Sequence, residues 1–512
     1  MKNTIKFMIG LLAIGLVSCE PEFENAVTDE GFYDAGDADF STYVSLGASI
    51  SAGTADGTIY RSAQENSYPN IMAQQFGFVG GGDFTQPLTS DNVGGLLLNG
   101  EPLPGYGTRL VLSADENGNP FPAPLAGTPT TDVATSEAGP FNNMAVDGSK
   151  SFNLVTPGYG DIAGIAGGTA NPWYARFATS ASSTVIDDAV SLNPTFFSLW
   201  TGNNDVYSYA SQGGIGVDQL GNSDISTYGY RDITDPNAFA AAYGAQVDAL
   251  TANGAKGVLV NIPDVTSLPY FTTVPAQSIP LDAATAGAVN DLFAQYNDQI
   301  LPLLVQFGVI TQEEADSRVV NFVEGINYPI ITDDDLTDVS QVLQGPPGNL
   351  PEDLANLLGQ LRQATSDDII ILPASSVLGT TPDPSNPLGV VGVSIPLQDV
   401  FVLTSTEKAR VDTATQSFNA IIEGLAAAND LGYVDSKAAL AQVASTGHVF
   451  NGGVMTNAYV TGGGFSLDGV HLTPRGYAFC ANMIIDVINT TYNASVPKVD
   501  IGTYGTVTLH NN

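Results

Sequence analysis

An aspartate and a histidine stand three residues apart near the end of the chain, in SLDGVHLTPRG over residues 466–476. On a short loop, the carboxylate of Asp468 can hold one imidazole nitrogen of His471 while the other nitrogen faces outward as a base. The chain contains only 3 histidines, and His471 is the one with this neighbourhood. A loop histidine that caps or packs locally is the alternative, and the spacing alone leaves it open.

Two serines in SLGASISAG, residues 45–53, are candidates for the nucleophile that such a base would activate. Ser49 and Ser51 follow a short apolar run, where a predicted strand breaks into glycine and small residues. A tight turn without a catalytic serine is the alternative, and the residue types do not choose between the two serines.

Two more turns follow apolar segments. In LWTGNNDVYS, residues 199–208, an asparagine side chain at the end of a strand could donate to an oxyanion. In FNNMAVDGSKS, residues 141–151, glycine would let the main chain approach a ligand and present its N–H. Taken separately, the first is more simply a polar turn and the second is a weak signal.

The elements that must position these residues follow an α/β pattern. Continuous apolar runs predict strands of a parallel sheet buried on both faces, at residues 43–46, 196–200, 257–262, 368–372 and 433–435. Helical patterns cover residues 238–252, 406–429 and 474–488, the last with Thr473 as its N-cap. Strands that alternate with helices predict βαβ units and a doubly wound sheet.

Two regions interrupt that alternation and are interpreted as insertions. Residues 79–140 are rich in glycine, proline, serine and threonine, and residues 270–365 contain helical patterns and an acidic run. The run, Asp333–Asp335 with Asp338, could bind calcium, but it lacks the glycine and terminal glutamate spacing of an EF-hand loop. A solvated loop is therefore favoured, and no metal site is predicted.

The N-terminus has the features of an export signal. Two lysines precede an apolar run over residues 7–17, which is too short to span a bilayer and ends in Leu-Val-Ser-Cys. This resembles a bacterial lipobox, which implies that residues 1–18 are removed and that Cys19 is lipidated. The prediction is an exported lipoprotein on the outer membrane or surface of a Gram-negative bacterium. An ordinary signal peptide with an incidental cysteine is the alternative.

Net charge and cysteine content exclude some partners and some covalent links. The formal net charge is −38, which argues against nucleic acid as a partner because that affinity comes mostly from lysine and arginine. With Cys19 lipidated, Cys480 has no partner for a disulfide within one mature chain. Residues 19–40 are predicted to be an acidic tether, residues 41–495 the folded domain and residues 496–512 a C-terminal tail.

In this order, the stretches resemble the four signature blocks of the SGNH hydrolases, the GDSL-type esterases and lipases. The first block requires a glycine two positions before its serine and another four positions after it. Gly47, Ala48, Ser49 and Gly53 fill that frame, so Ser49 takes the nucleophile position. The resemblance covers about residues 40–490, apart from the insertions.

The later blocks are matched by Asn143 to Gly148, by Gly202-Asn203-Asn204-Asp205, and by Asp468 with His471. The resemblance implies an oxyanion hole made of the Ser49 and Gly148 N–H groups and the Asn204 amide. It also implies a three-layer α/β/α sandwich with a central parallel sheet of the flavodoxin-like kind.

The implied function is a serine ester hydrolase that forms an acyl-enzyme on Ser49 and needs no cofactor. Its substrate would be an ester of an acyl lipid or an acylated glycan. Tyr270 and Phe271 are predicted near the substrate pocket, with the insertion at 270–365 as a lid or, equally, a surface elaboration. No G-x-S-x-G elbow occurs in the chain, which argues against the α/β-hydrolase family.

One position departs from the family pattern, because Ala48 stands where the family has aspartate. The position is not part of the triad, so the reaction class is unchanged. It does favour one rival interpretation, a non-catalytic ligand-binding surface lipoprotein on a degenerate core. A structural envelope component is a second rival, suggested only by the anchor and the tether.

Overall fold

The computed structural model describes residues 32–507, except residues 136, 138, 347 and 387. The predicted signal peptide, Cys19 and His510 lie outside the described residues.

The centre of the molecule is a parallel four-stranded sheet. Its strands are β1 (Tyr43–Gly47), β2 (Phe196–Trp200), β3 (Lys256–Val260) and β4 (Gly432–Val434), side by side in that order. All residues of β1 and β2 are buried, as expected for a parallel sheet covered on both faces. The chain is therefore a mixed α/β protein.

Six helices matter for the site, and two of them pack directly on the sheet. They are α1 (Ser49–Ala52), α2 (Asn204–Ala210), α3 (Pro236–Thr251), α4 (Ser405–Ala428), α5 (Ser436–Ser445) and α6 (Pro474–Thr491). Helix α6 contacts β4 and the helix Tyr68–Phe76, while α4 contacts β3, β4 and α3. Thr473 caps α6 as predicted, because its hydroxyl accepts the N–H of Gly476 at 3.2 Å.

The remaining elements are short. Further helices span Arg61–Glu65, Tyr68–Phe76, Pro172–Ala175, Val185–Val190, Pro269–Thr272, Ala283–Gln295, Leu301–Gln306, Gln312–Ser317, Ser340–Gln344 and Glu352–Leu358. Antiparallel strand pairs join Leu97–Leu98 to Glu101–Pro102, Leu110–Ala114 to Pro120–Pro124, Ile279–Leu281 to Gly325–Asn327, Ile330–Thr332 to Leu361–Gln363, Ile369–Ile370 to Val402–Leu403, and His448–Phe450 to Gly453–Met455.

Four of the five predicted strands form the sheet, but the prediction at residues 368–372 was wrong. Only Ile369–Ile370 is extended, and it pairs antiparallel with Val402–Leu403 outside the central sheet. Asp368 before it accepts two hydrogen bonds from Arg362, at 2.7 and 2.9 Å. A buried ion pair at this position ties the segment to the inserted region, and the apolar run alone gave no sign of that partner.

The region around the second predicted insertion has a hydrophobic core of its own. Its buried residues run from Ile279 to Val393 and include Phe293 and Leu343. The core beneath the central sheet is separate and includes Phe40, although residue 40 falls within the predicted tether. Asp37 of the same segment donates its N–H to the Tyr492 carbonyl at 2.7 Å.

No helix in residues 32–507, as far as they are described, is long and apolar enough to cross a membrane.

Candidate active site

Ser49 is the first residue of α1, directly after β1 and the single residue Ala48. The preceding Gly47 cannot carry a side chain, because a Cβ would lie 2.3 Å from Ser51 Oγ and 2.4 Å from the Trp200 carbonyl oxygen. Gly53 ends the turn in the left-handed conformation, with φ +81°. The two glycines therefore allow a sharp strand-to-helix turn that leaves the Ser49 side chain half-buried at the sheet edge.

The second serine of this stretch has a structural role. Ser51 is fully buried, and its hydroxyl bonds that of Tyr68 at 2.8 Å. The hydroxyl of Ser49, in contrast, forms no hydrogen bond with any residue of the described chain. Of these two serines, Ser49 is therefore the one whose hydroxyl is free to react.

Asp468 and His471 are joined as the spacing predicted. His471 Nδ1 lies 2.8 Å from Asp468 Oδ2, and Asp468 Oδ1 accepts the N–H groups of Val470 and His471 at 2.8 Å each. Gly57, from the chain just beyond Ser49, donates its N–H to Asp468 Oδ2 at 2.7 Å. The carboxylate therefore fixes the ring and leaves His471 Nε2 for another partner.

Asp468 and His471 each stabilise the charged form of the other, which shifts both pKa values. Burial alone would raise the pKa of Asp468, but the adjacent His471 and the backbone N–H groups hold it well below its usual value. Burial alone would lower the pKa of His471, but Asp468 raises it above 6.5 overall. His471 is thus a stronger base than a free imidazole.

The proposed oxyanion donors come together because three segments end at the same edge of the sheet. Residues 142–146 run beside β1, with Met144 donating to the Ser45 carbonyl at 2.9 Å and Val146 donating to that of Gly47 at 3.0 Å. This brings Gly148 out beside the turn that holds Ser49. The next strand in the sheet, β2, leads into α2, and there the Asn204 amide donates to the Ser149 carbonyl at 2.9 Å.

Two of the three donors are uncommitted. The backbone N–H groups of Ser49 and Gly148 have no acceptor in the described chain, and Gly148 adopts the left-handed conformation with φ +74°. Asn204 is buried, at 6 % exposure, and its amide has one hydrogen beyond that given to Ser149. Unpaired N–H groups at a turn are suited to a developing negative charge.

Ser49 and His471 form no hydrogen bond with each other in this structure. Their segments do come together, because Ile50, Val470 and Leu472, the chain neighbours of the two residues, line one apolar cavity of about 70 Å³ between α5 and α6. Catalytic hydrogen bonds are often long before substrate binds. The arrangement is therefore compatible with a triad that tightens around a substrate.

A larger cleft opens beside the oxyanion turn. Its volume is about 600 Å³, and Asp147, Gly148, Tyr106, Tyr230 and Trp173 are among its lining residues. The lining combines aromatic rings with polar groups. Such a surface suits an amphipathic or carbohydrate-bearing ligand better than a bare alkyl chain.

Tyr270 and Phe271 line neither this cleft nor the apolar cavity. Tyr270 donates its N–H to the Gly469 carbonyl at 2.9 Å, and its hydroxyl donates to the Ser211 carbonyl at 2.9 Å. Phe271 is 3 % exposed and packs edge-on against Tyr207. Tyr270 thus holds the loop of His471, and a direct substrate contact by either residue stays a prediction.

Two carboxylates near the Asp468–His471 pair were not singled out as candidate site residues in the sequence. Asp147 accepts a hydrogen bond from Thr54 Oγ1 at 3.0 Å, and its charge helps to raise the pKa of His471. Asp56 accepts the N–H of Leu467 at 3.0 Å and the hydroxyl of Tyr60 at 2.7 Å. The Asp-Gly pairs at 56–57 and 147–148 were the available signal, but Asp-Gly is common in ordinary turns.

Ala48 is the N-cap of α1 and is 3 % exposed. It has no side chain to cap the first turn, whereas aspartate is among the favoured residues at that position. Its N–H donates to the Trp200 carbonyl at 3.4 Å. Alanine at this position therefore leaves α1 without a side-chain cap.

Comparison with protein-family models gave no match, and searches of curated proteins and of solved structures found no significant match.

Proposed function

We propose that this protein is a serine ester hydrolase of the SGNH type. The observation that carries the proposal is that an uncommitted Ser49 hydroxyl and a His471 ring oriented by Asp468 at 2.8 Å lie on segments joined by the hydrogen bond from Gly57 to Asp468. The unpaired N–H groups of Ser49 and Gly148 support it. Nucleophile, base, orienting carboxylate and oxyanion donors are the four parts that acyl transfer requires.

In the proposed reaction, His471 Nε2 takes the proton of Ser49 as its oxygen attacks the ester carbonyl. Asp468 stabilises the imidazolium that forms. The N–H groups of Ser49 and Gly148 and the Asn204 amide bind the oxyanion. The protonated His471 then gives its proton to the leaving alcohol, and water hydrolyses the acyl-enzyme by the same route.

The finer architecture belongs to the same proposal. We infer a three-layer sandwich of the flavodoxin-like kind, in which α4 with α3 and α6 with the helix Tyr68–Phe76 form the two helical layers. The separate contacts of α4 and α6 with β4 support it. The ligand crevice of such folds lies at the carboxyl ends of the strands, where Ser49 and Asn204 are found.

The substrate class that we propose is an ester of an acyl lipid or an acylated glycan. The aromatic and polar lining of the 600 Å³ cleft supports a large alcohol portion. The apolar cavity beside Ile50 and Val470 supports an acyl portion. We further propose that the protein is exported and held at the outer membrane or cell surface through a lipid on Cys19.

A second candidate is a non-catalytic ligand-binding lipoprotein on the same core. Two observations favour it, the uncapped first turn at Ala48 and the absence of a hydrogen bond between Ser49 and His471. Neither removes a reacting group, so hydrolysis remains the better supported function.

Hydrolysis of p-nitrophenyl esters from acetate to palmitate tests the proposal. We expect turnover by the wild type, loss of turnover in Ser49→Ala, and retention of most of it in Ser51→Ala, a matched serine two positions away. Circular dichroism of each variant would show whether it is folded. Esters left intact by the folded wild type, or turnover that survives in Ser49→Ala, would favour the binding function.

A further inference from the structure

A cluster of three carboxylates lies outside the candidate active site. Asp334 follows the strand Ile330–Thr332, Asp399 begins a short turn of helix, and Glu407 lies in the first turn of α4. One carboxylate oxygen from each lies within 4.8 Å of those from the other two. Three segments that are distant in sequence therefore present acidic oxygens to one point.

Two oxygens of this cluster are buried and have no hydrogen-bond partner, namely Glu407 Oε1 and Asp399 Oδ1. Glu407 is 0 % exposed, and its other oxygen accepts the Thr404 N–H at 2.7 Å in the capping box of α4. An unpaired buried carboxylate oxygen loses its hydration without compensation. These two oxygens therefore require either a proton or a cation.

The positive side chains nearby are already engaged. Arg410, one turn after Glu407, pairs with Asp335 and also donates to the Tyr209 hydroxyl at 3.1 Å. Arg362 pairs with Asp333 at 2.5 Å and with Asp368 at 2.7 Å. Within the part of the chain that the structure describes, no lysine or arginine forms an ion pair with a member of the cluster.

Burial and mutual negative charge raise the pKa of two carboxyl groups in the cluster. Burial and the neighbouring negative charges of Asp334 and Asp333 raise the pKa of Asp399 to about 8. Burial, with the charge of Asp399, also raises the pKa of Glu407 to about 8. The main chain packs directly against Glu407, because a Cβ at Gly214 would lie 2.0 Å from Oε1.

We propose that Asp334, Asp399 and Glu407 form a binding site for a divalent cation of the calcium class. All three donors are carboxylate oxygens, which hard cations prefer, and the cluster contains no histidine or cysteine that would favour zinc. Exposed Asp334 gives access from solvent, and buried Glu407 forms the base of the site. Calcium accepts irregular coordination completed by water, whereas magnesium demands a near-ideal octahedron.

A cation at this point joins the inserted region to the part of the core that carries Asn204. Asp334 belongs to the inserted region and Glu407 to α4, while Gly214 follows closely after α2. The site is thus expected to stabilise the attachment of the insertion. Calcium was considered for the acidic run in the sequence, but a solvated loop was favoured, and two of the three proposed ligands lie far beyond that run.

Thermal unfolding of the EDTA-treated full chain, with calcium chloride added back, tests the site. We expect calcium at millimolar concentration to raise the unfolding midpoint by about 3 °C or more, as for a ligand well above its dissociation constant. Magnesium should raise it less. Isothermal titration calorimetry should give one calcium site per chain. Neither readout depends on ester hydrolysis, so this proposal and the proposed function fail separately.

Asp334→Asn and Glu407→Gln should each abolish most of the calcium response, while Asp367→Asn, which alters an exposed carboxylate outside the cluster, should leave it intact. Asp334 is exposed, so its variant should fold even if the variant of buried Glu407 does not. The proposal is wrong if calcium leaves the wild-type midpoint unchanged and produces no heat of binding. It is also wrong if Asp334→Asn retains the full response, since calcium would then bind at another place in the protein.

Discussion

At the scale of single residues, Asn204 is the sharpest test of the oxyanion hole. We expect Asn204→Ala to lower kcat by about 10²–10³, because one donor to the developing charge is lost. The variant also loses the bond to the Ser149 carbonyl, which should cost only about 1 kcal/mol of stability. Initial rates with a p-nitrophenyl ester measure the effect.

Asn203→Ala is the matched control for that variant. Asn203 precedes α2 directly, and its side-chain oxygen is buried without a partner. We expect its removal to leave kcat within a few-fold of wild type. Equal losses in the two variants would mean that the turn matters as a whole and that Asn204 has no special role.

The Asp468–His471 pair makes a prediction about pH. The proposed reaction needs neutral His471, so kcat/KM should fall as pH drops through its pKa, which Asp468 raises above 6.5. In Asp468→Asn the acid limb should move to lower pH, while the maximum falls by about 10³–10⁴. Asp147→Asn should move the limb in the same direction by less. A limb that does not move in Asp468→Asn would contradict the assignment of His471 as base.

Residue-scale reasoning from the sequence was sound where the partners are local. Asp468 and His471 lie on one loop, so their spacing already implied the contact found at 2.8 Å. The roles of Asp147 and Asp56 depend on contacts with residues 54 and 467, and no local pattern encodes such pairs. Asp399 and Glu407 were not recognised as a pair for the same reason, because their contact with Asp334 joins segments that are distant in sequence.

At the scale of elements, the turn after β1 depends on the close approach at Gly47. We expect Gly47→Ala to destabilise the fold by more than about 2 kcal/mol, because its Cβ would overlap the Trp200 carbonyl oxygen and Ser51. Activity should fall with it, since the turn positions Ser49. Urea unfolding and ester hydrolysis measure the two effects.

Gly424→Ala is the opposite case and the control. Gly424 is exposed inside α4, and a Cβ there would meet no atom within 4 Å. We expect that variant to be stabilised by about 0.5–1 kcal/mol, because alanine is the better helix former. If Gly424→Ala lowered the free energy of unfolding as Gly47→Ala does, the steric argument for Gly47 would be refuted.

Element boundaries were predictable where apolar runs were buried on both faces. Strand β2 was predicted to the residue, and α3, α4 and α6 to within three residues at either end. Residues 368–372 carried the same apolar signal and still lie outside the sheet, because strand partners are chosen by distant contacts. The pairing of residues 142–146 with β1 was not predicted for the same reason.

At the scale of the whole molecule, the proposed lipid anchor is separable from the folded core. We expect Cys19→Ser to move the protein from the membrane fraction to the soluble fraction without changing hydrolysis by the purified protein. Detergent partition and metabolic labelling with palmitate measure the change. Cys480→Ser, which alters a buried cysteine in α6, should leave the protein with the membrane.

A separate hydrophobic core in the region of the predicted insertion was not expected from the sequence. Composition marked residues 270–365 as different, but a separate core reaching Val393 arises from packing between short helices and hairpins. Its contribution to chain-length preference stays a prediction. The proposed calcium site lies where this region meets α4, so insertion and core are expected to respond together when calcium is removed.

The central claim is that Ser49 is the nucleophile, and covalent labelling tests it most directly. A fluorophosphonate transfers its phosphonyl group to an activated serine oxygen with loss of fluoride, and mass spectrometry of the peptides locates the adduct. We predict one adduct, on Ser49, that forms in the wild type and is lost in His471→Ala. An adduct on another serine, or no adduct on the folded wild-type protein, would contradict the account.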